Sequence, residues 1–259
     1  MIVMAGKKTQ TGHIRVGTSG YVYEHWSGLF YPADLPKTRR FEYYASQLDT
    51  VELNATFYRL FPDTTFAKWH TQAPSGFTYT VKLWRWITHR RRLKDIAPDL
   101  ETFLERAVLL KQHLGPVLIQ LPPSMRRDDE RLEAFLTLCD ETQNKLKEGF
   151  RFAVEFRHAS WFESGVYELL RRHRTALVLP DMPALHGIRE CTADFIYVRF
   201  HGRPGLYGSL YSHQMLTGWA TWLKDYLGKG IDVYAYFNND DHAHAPRNAQ
   251  MLRRYLIDD

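Results

Sequence analysis

A chain of 259 residues, 44% hydrophobic and 14% aromatic, is long enough to bury a large core and falls within the range that a single closed α/β barrel occupies. Thirty-four basic against 29 acidic residues give a formal net charge of +5, which favours anionic partners such as phosphates, carboxylates or nucleic acid. No run approaches the ~18 consecutive apolar residues of a membrane span, and the start "MIVMAGKKTQTGH" lacks the apolar segment and cleavage site of a secretory signal. The two cysteines, Cys139 and Cys191, have no metal-type spacing, and reduced thiols in a cytoplasm are the expectation.

Residues 1–12 read as an N-terminal tail and 13–259 as one domain. Apolar, β-branched runs recur along it: "HIRVGTS" (13–19), "TVELNAT" (50–56), "TYTVKLW" (78–84), "PVLIQLP" (116–122), "RFAVEFR" (151–157), "TALVLPD" (175–181), "FIYVRFH" (195–201) and "DVYAYFN" (232–238). Near-continuous apolar strands of this kind belong to parallel sheets covered on both faces. Helical spacing lies between most of them. "TRRFEYYASQ" comes first, then "TTFAKWHTQ" with Asp63 as its cap. "PDLETFLERAVLLKQHLG" opens on proline and acids and closes on basic residues and glycine. "DDERLEAFLTLCDE", "SGVYELLRRH", "SHQMLTGWATWLKDYLG" and "PRNAQMLRRYL" follow, with apolar residues three and four apart. "MPALHGIRECTA", between the sixth and seventh strands, reads as an irregular link. Eight strands alternating with helices predict a single (β/α)8 barrel. An open doubly wound sheet is disfavoured, because "VGTSGYVYEHW" lacks the phosphate-binding glycine fingerprint.

Several of these stretches together carry a family likeness. "IRVGTSGYVYEHWSGLFYP", "TVELNATFYRLFP", "FAVEFRHASWF", "YVRFHGR" and "YAYFNND" resemble, in order and spacing, the YecE-like family, domain of unknown function 72. The resemblance runs from about residue 14 to 255. It implies a TIM-type barrel and supplies no reaction; the basic "HRRR" stretch departs from its pattern.

In such barrels the ligand site lies beyond the carboxyl ends of the strands. Taking the polar residues near each strand end gathers Glu52 and Asn54, Lys82 and Trp84, Gln120, Glu155 and Arg157, Asp181, Arg199 and His201, and Tyr236 and Asn238 at one mouth. Glu155, Asp181, Glu52 and His201 are the candidate catalytic groups, His201 as the proton carrier because it titrates nearest neutrality. Lys82, Arg157, Arg199 and Arg203 are expected to hold an anion, with Gly202, Asn54, Tyr236, Asn238 and Asn239 beside them and Trp26, Tyr58, Trp84, Trp161 and Tyr207 as flat walls. The turn from Gly202 to Gly208 is expected to form the principal anion contact through its backbone N–H groups. Glu155→Gln is expected to abolish turnover while leaving the fold nearly as stable.

The function expected is a hydrolase or lyase that acts by acid–base chemistry on an anionic, phosphorylated or nucleotide-like small molecule. One alternative is a metal-assisted enzyme with Glu155, Asp181 and His201 as ligands for manganese, magnesium or zinc. Another is a non-catalytic nucleic-acid binder that uses the basic stretch 84–94, "WRWITHRRRLK". In the architectural alternative, Glu155–Arg157 and Glu52–Lys82 are internal ion pairs with no chemistry of their own.

Overall fold

The computed structural model describes residues 12–258, so the expected tail lies outside the described residues except for Gly12. Eight parallel strands close in sequence order: β1 (Ile14–Ser19), β2 (Thr50–Leu53), β3 (Thr78–Lys82), β4 (Leu114–Gln120), β5 (Phe152–Glu155), β6 (Ala176–Asp181), β7 (Phe195–Phe200) and β8 (Asp232–Phe237). β8 pairs with β1 to complete the ring. The helices are α1 (Arg40–Gln47), the short α2 (Ala55–Tyr58), α3 (Asp63–Gln72), α4 (Ala97–Val108), α5 (Asp129–Leu146), α6 (Ser164–Arg172), α7 (His213–Leu227) and α8 (His244–Ile257). Between β6 and β7 the chain stays irregular apart from one bridge, Met182 to Leu185, as the sequence predicts.

The strands are mostly apolar because each has two buried faces. Outward side chains such as Val16, Val51, Val81, Ile119, Val154, Leu179, Val198 and Ala235 pack under the helices. The inward set forms a separate cluster of Leu118, Ala153, Ala176, Val178, Phe195, Tyr197, Tyr234 and Tyr236 inside the barrel. Gly17 lets β1 lie close to β2, since a Cβ there would sit 2.1 Å from the Thr50 carbonyl oxygen.

Strand ends fall earlier than the apolar runs suggest. β2 stops at Leu53, and Asn54 begins the turn into α2; β5 stops at Glu155 and β7 at Phe200. Asn54, Arg157, His201 and Asn238 therefore sit just past their strands, at the mouth. Helix capping differs at one point. Asp63 is the first residue of α3 and caps nothing; its carboxylate instead meets Arg106 at 3.0 Å.

Candidate functional site

The parity of the strands builds the floor of the mouth. In β7, Tyr197 and Arg199 share the inward face, and His201 continues it past the strand end. Arg199 is buried on the barrel axis. Its Nε and Nη2 donate to Glu52 Oε2 and Oε1 at 3.0 and 2.6 Å, a forked pair, and its Nη1 donates to Glu155 Oε2 at 2.7 Å. Ser19 Oγ and Tyr197 Oη each donate to Glu52 at 2.5 Å. Glu155 Oε1 accepts from His201 Nε2 at 2.8 Å and lies 3.1 Å from Arg157 Nη2. Asn238 Nδ2 lies 3.2 Å from His201 Nδ1. Arg157 Nη2 also lies 3.2 Å from His201 Nε2; the shorter bond to Glu155 and the Asn238 amide at Nδ1 favour the neutral tautomer with its proton on Nε2.

Electrostatics follow from this packing. Burial raises the Glu52 carboxyl, but the Arg199 guanidinium more than reverses the effect and holds it below the ordinary value. Burial likewise raises Glu155, and Arg157 and Arg199 together bring it well below. Burial lowers His201 to about 4 and outweighs its hydrogen bond to Glu155. His201 is fully buried, with Nε2 engaged by Glu155 and Nδ1 beside Asn238, and does not line the cavity where a proton carrier is expected. Its ring instead fixes Glu155. The largest displacement of a basic group toward neutrality is at Lys82, which burial, with Arg199 nearby, lowers to about 7.

Above this floor lies a cavity of about 860 Å³. Asn54, Lys82, Gln120, Arg157, Arg199 and Asn238 from the strand-end set line it, together with Tyr58 and Tyr207. Tyr23, Phe57, Arg85, His89, Met182 and Asp240 join them and were not among the expected site residues. Arg85 had a sequence signal, because it opens the basic stretch directly after β3. Met182 had one in parity, two residues beyond Pro180 on the inward face of β6.

Other expected residues lie elsewhere. Asp181 has the opposite parity to Val178 and Met182, so it points into the helix layer. There Trp219 of α7 donates to its Oδ2 at 2.6 Å, and Arg203 Nε sits 2.6 Å from its Oδ1. Asp181 and Arg203 thus form an ion pair away from the mouth, and the set Glu155, Asp181 and His201 does not converge on one metal position. Among the described residues, no group of three or more His, Cys, Asp or Glu is placed to hold a metal ion. Asn239, one residue out of phase with Asn238, is buried and donates to Ser209 O and Asn248 Oδ1 at 2.8 and 3.0 Å. Trp26 is buried in an aromatic cluster and donates to the Asp240 carbonyl at 2.9 Å. Tyr236 does point inward, but below the ring, with its hydroxyl between Thr50 and Thr80 at 2.7 and 2.8 Å.

The glycine turn is also spent on itself. Gly202, at φ +94°, gives its N–H to Tyr211 Oη, the Gly205 N–H goes to Ser209 Oγ, and the Tyr207 N–H goes to the His201 carbonyl. Those donors are closed by the turn's own bonds, so the accessible cationic rim shifts to the opposite side, at Lys82, Arg85 and Arg157. Of the basic stretch, residues 86–90 form a π-helical turn. Arg91 pairs with Asp95 at 3.4 Å and Arg92 Nη1 donates to Ser124 at 3.2 Å, leaving Arg85 and His89 as its members at the mouth. The Glu52–Lys82 pair of the architectural alternative does not form, since Glu52 pairs with Arg199. The Glu155–Arg157 pair does form.

Fold and site together define a closed (β/α)8 barrel with a polar, cation-rimmed cavity at the carboxyl ends of its strands. The family model described as "Protein of unknown function DUF72" matches residues 15–259, and the chain belongs to that family. It is 26% identical over 274 residues to the UPF0759 protein YunF of Bacillus subtilis, covering 94% of each chain. Its structure is similar to that of a DUF72 family protein of Thermotoga maritima, with 30% identity, 94% of this chain and 99% of that one covered, and a TM-score of 0.83. A DUF72 family protein of Enterococcus faecalis superposes with a TM-score of 0.77 at 20% identity, over 94% of this chain and 95% of its own, and shows the same fold.

Proposed function

We propose that the mouth is the active site of an enzyme that binds a small anionic molecule and acts on it by acid–base chemistry, as a lyase or a hydrolase, with Lys82 exchanging the proton. The observation that carries this is the placement of Lys82: an amine at the cavity floor, lowered to about 7, with the ionised ring beneath it already internally paired. A general acid–base group works best when it titrates near the operating pH. Glu52, Glu155, Arg199 and His201 then act as positioning residues, because their donors and acceptors are committed to each other. Arg157 and Arg85 reach the cavity with guanidinium donors suited to a carboxylate or phosphate. The cavity is of the size that encloses a small molecule, within the ~300–1,000 Å³ of typical ligand pockets. The free thiols Cys139 and Cys191 suit a cytoplasmic setting.

Inorganic phosphate, titrated at low ionic strength, is expected to raise the melting temperature saturably, because a ligand that binds only the folded state stabilises it. Arg85→Gln should weaken that binding at least about tenfold by removing a charged donor at the mouth. With the titration repeated at physiological salt, neutralising Arg90 and Arg91 together, neither of which lines the cavity, should change it less than about twofold, because exposed charges are screened over a Debye length of about 8 Å. Equal losses from both variants would place the anion on the outer basic stretch instead.

A further inference from the structure

Lys82 is equipped for more than proton exchange. Its Nζ lies 4.3 Å from the centre of the Phe57 ring, and the residue is 7% exposed, so little water is available to solvate an ammonium. Among the described residues it enters no ion pair. The two carboxylates beneath it are already matched by two guanidiniums: Glu52 by Arg199, and Glu155 by Arg199 and Arg157. No surplus negative charge is left for a third cation. A primary amine that is desolvated on an aromatic floor and placed near other cations is an activated nucleophile. The cavity in front of it is open to a ligand, and Arg85 reaches the same Phe57 ring at 6.0 Å.

Building on the acid–base site proposed above, we infer that Lys82 forms a Schiff base with a small aldehyde or ketone that carries a carboxylate or phosphate group. The Nζ lone pair attacks the carbonyl carbon, and the C=O π pair moves to oxygen. Nitrogen loses one proton and oxygen gains one, giving a neutral carbinolamine. A proton from solvent converts the hydroxyl to departing water while the nitrogen lone pair closes the C=N bond, leaving a protonated imine; hydrolysis reverses each step. No electrons are exchanged with an outside donor or acceptor. The charge balance selects the substrate class. A protonated imine places a positive charge above two carboxylates that are already matched by guanidiniums, so the substrate is expected to bring its own anionic group, held by Arg85 and Arg157.

The test is reductive trapping of the full chain at pH 7 with sodium cyanoborohydride and pyruvate, glyoxylate or dihydroxyacetone phosphate, with acetone and propanal as neutral counterparts, read by peptide mass mapping. An adduct on Lys82 is expected to form at least about tenfold faster than on exposed Lys111 in the same digest. The reason is that an amine titrating near 7 is far more often unprotonated than an ordinary lysine at about 10.4. It should also form at least about tenfold faster with an anionic probe than with its neutral counterpart. Lys82→Arg should lose the adduct at that position, and the comparison within the wild-type digest holds even if the variant folds poorly. Trapping at Lys82 no faster than at Lys111 with all three anionic probes would overturn the Schiff base. If phosphate still stabilised the protein in that case, the anion-binding mouth would survive alone; if phosphate also failed, both would fall. Equal trapping by anionic and neutral probes would overturn the substrate class.

Discussion

Arg199→Met is expected to cost the fold about 3–5 kcal/mol, the scale of breaking a buried ion pair by removing one partner. At roughly 2–4 °C per kcal/mol for a chain of this size, the melting temperature should fall by on the order of 10 °C at pH 8. Methionine fills much of the volume but leaves Glu52 and Glu155 buried without the guanidinium that joins them. The same substitution reverses a pH dependence. In the wild type both carboxyls are held below their ordinary values, so their contribution is complete above the unfolded value of about 4.3 and is lost as pH falls through the lower folded values. Without Arg199, burial dominates at Glu52 and raises its carboxyl, so the folded variant binds a proton that the unfolded chain does not. Its stability should then fall as pH rises and partly recover on acidification to about pH 5. Thermal melts across pH 5–8 decide it. A variant as stable as the wild type at pH 8 would show that the ring contributes nothing to holding the barrel together.

Glu155→Gln belongs to the same class, and here the structure reverses the sequence expectation that stability would be spared. An amide cannot balance Arg199 Nη1 at 2.7 Å and Arg157 Nη2 at 3.1 Å while also accepting from His201. A melting loss comparable to that of Arg199→Met is the expected outcome.

Lys82→Met should do the opposite. Turnover is expected to be lost, while the melting temperature at pH 7 rises by roughly 3 °C or more, because a group recruited for chemistry can be a stability liability. The sign follows from the lowered amine. Between about 7 and the unfolded lysine value of about 10.4 the unfolded chain binds a proton that the folded chain does not, so wild-type stability gains a contribution as pH rises through that window. Methionine does not titrate, so the variant's advantage should shrink between pH 7 and pH 10. A Lys82→Met protein less stable than wild type at pH 7, or an advantage that grows with pH, would contradict a desolvated, unpaired amine.

The barrel was legible in the sequence because the eight strands are largely apolar runs that alternate with helical spacing. Much of the mouth was legible too, since counting back from each strand end finds inward residues such as Asn54, Lys82, Arg157 and Asn238. Counting failed where the pattern gave no alternation. "TALVLPDM" offers no polar–apolar rhythm, so Asp181 was placed inward although Met182 holds that phase. Adjacent Asn238 and Asn239 look equivalent in sequence and face opposite ways. The ring's partners were beyond sequence reasoning for another reason. Glu52 and Arg199 stand 147 residues apart and meet only because both reach the barrel axis, whereas spacing had suggested Glu52 for Lys82. That exchange of partners leaves the lysine amine unpaired, a property of the closed barrel that no local stretch encodes.

The most direct measurement is a crystal structure of the full chain soaked in phosphate near pH 7. Density for the anion is expected in the cavity against Arg85 and Arg157, within reach of Lys82 Nζ and above the undisturbed Glu52–Arg199–Glu155 ring. Phosphate bound at the Gly202–Gly208 turn or along Arg90–Arg92, with the cavity between Lys82 and Arg157 empty, would contradict the assignment of the mouth as the anion-binding active site.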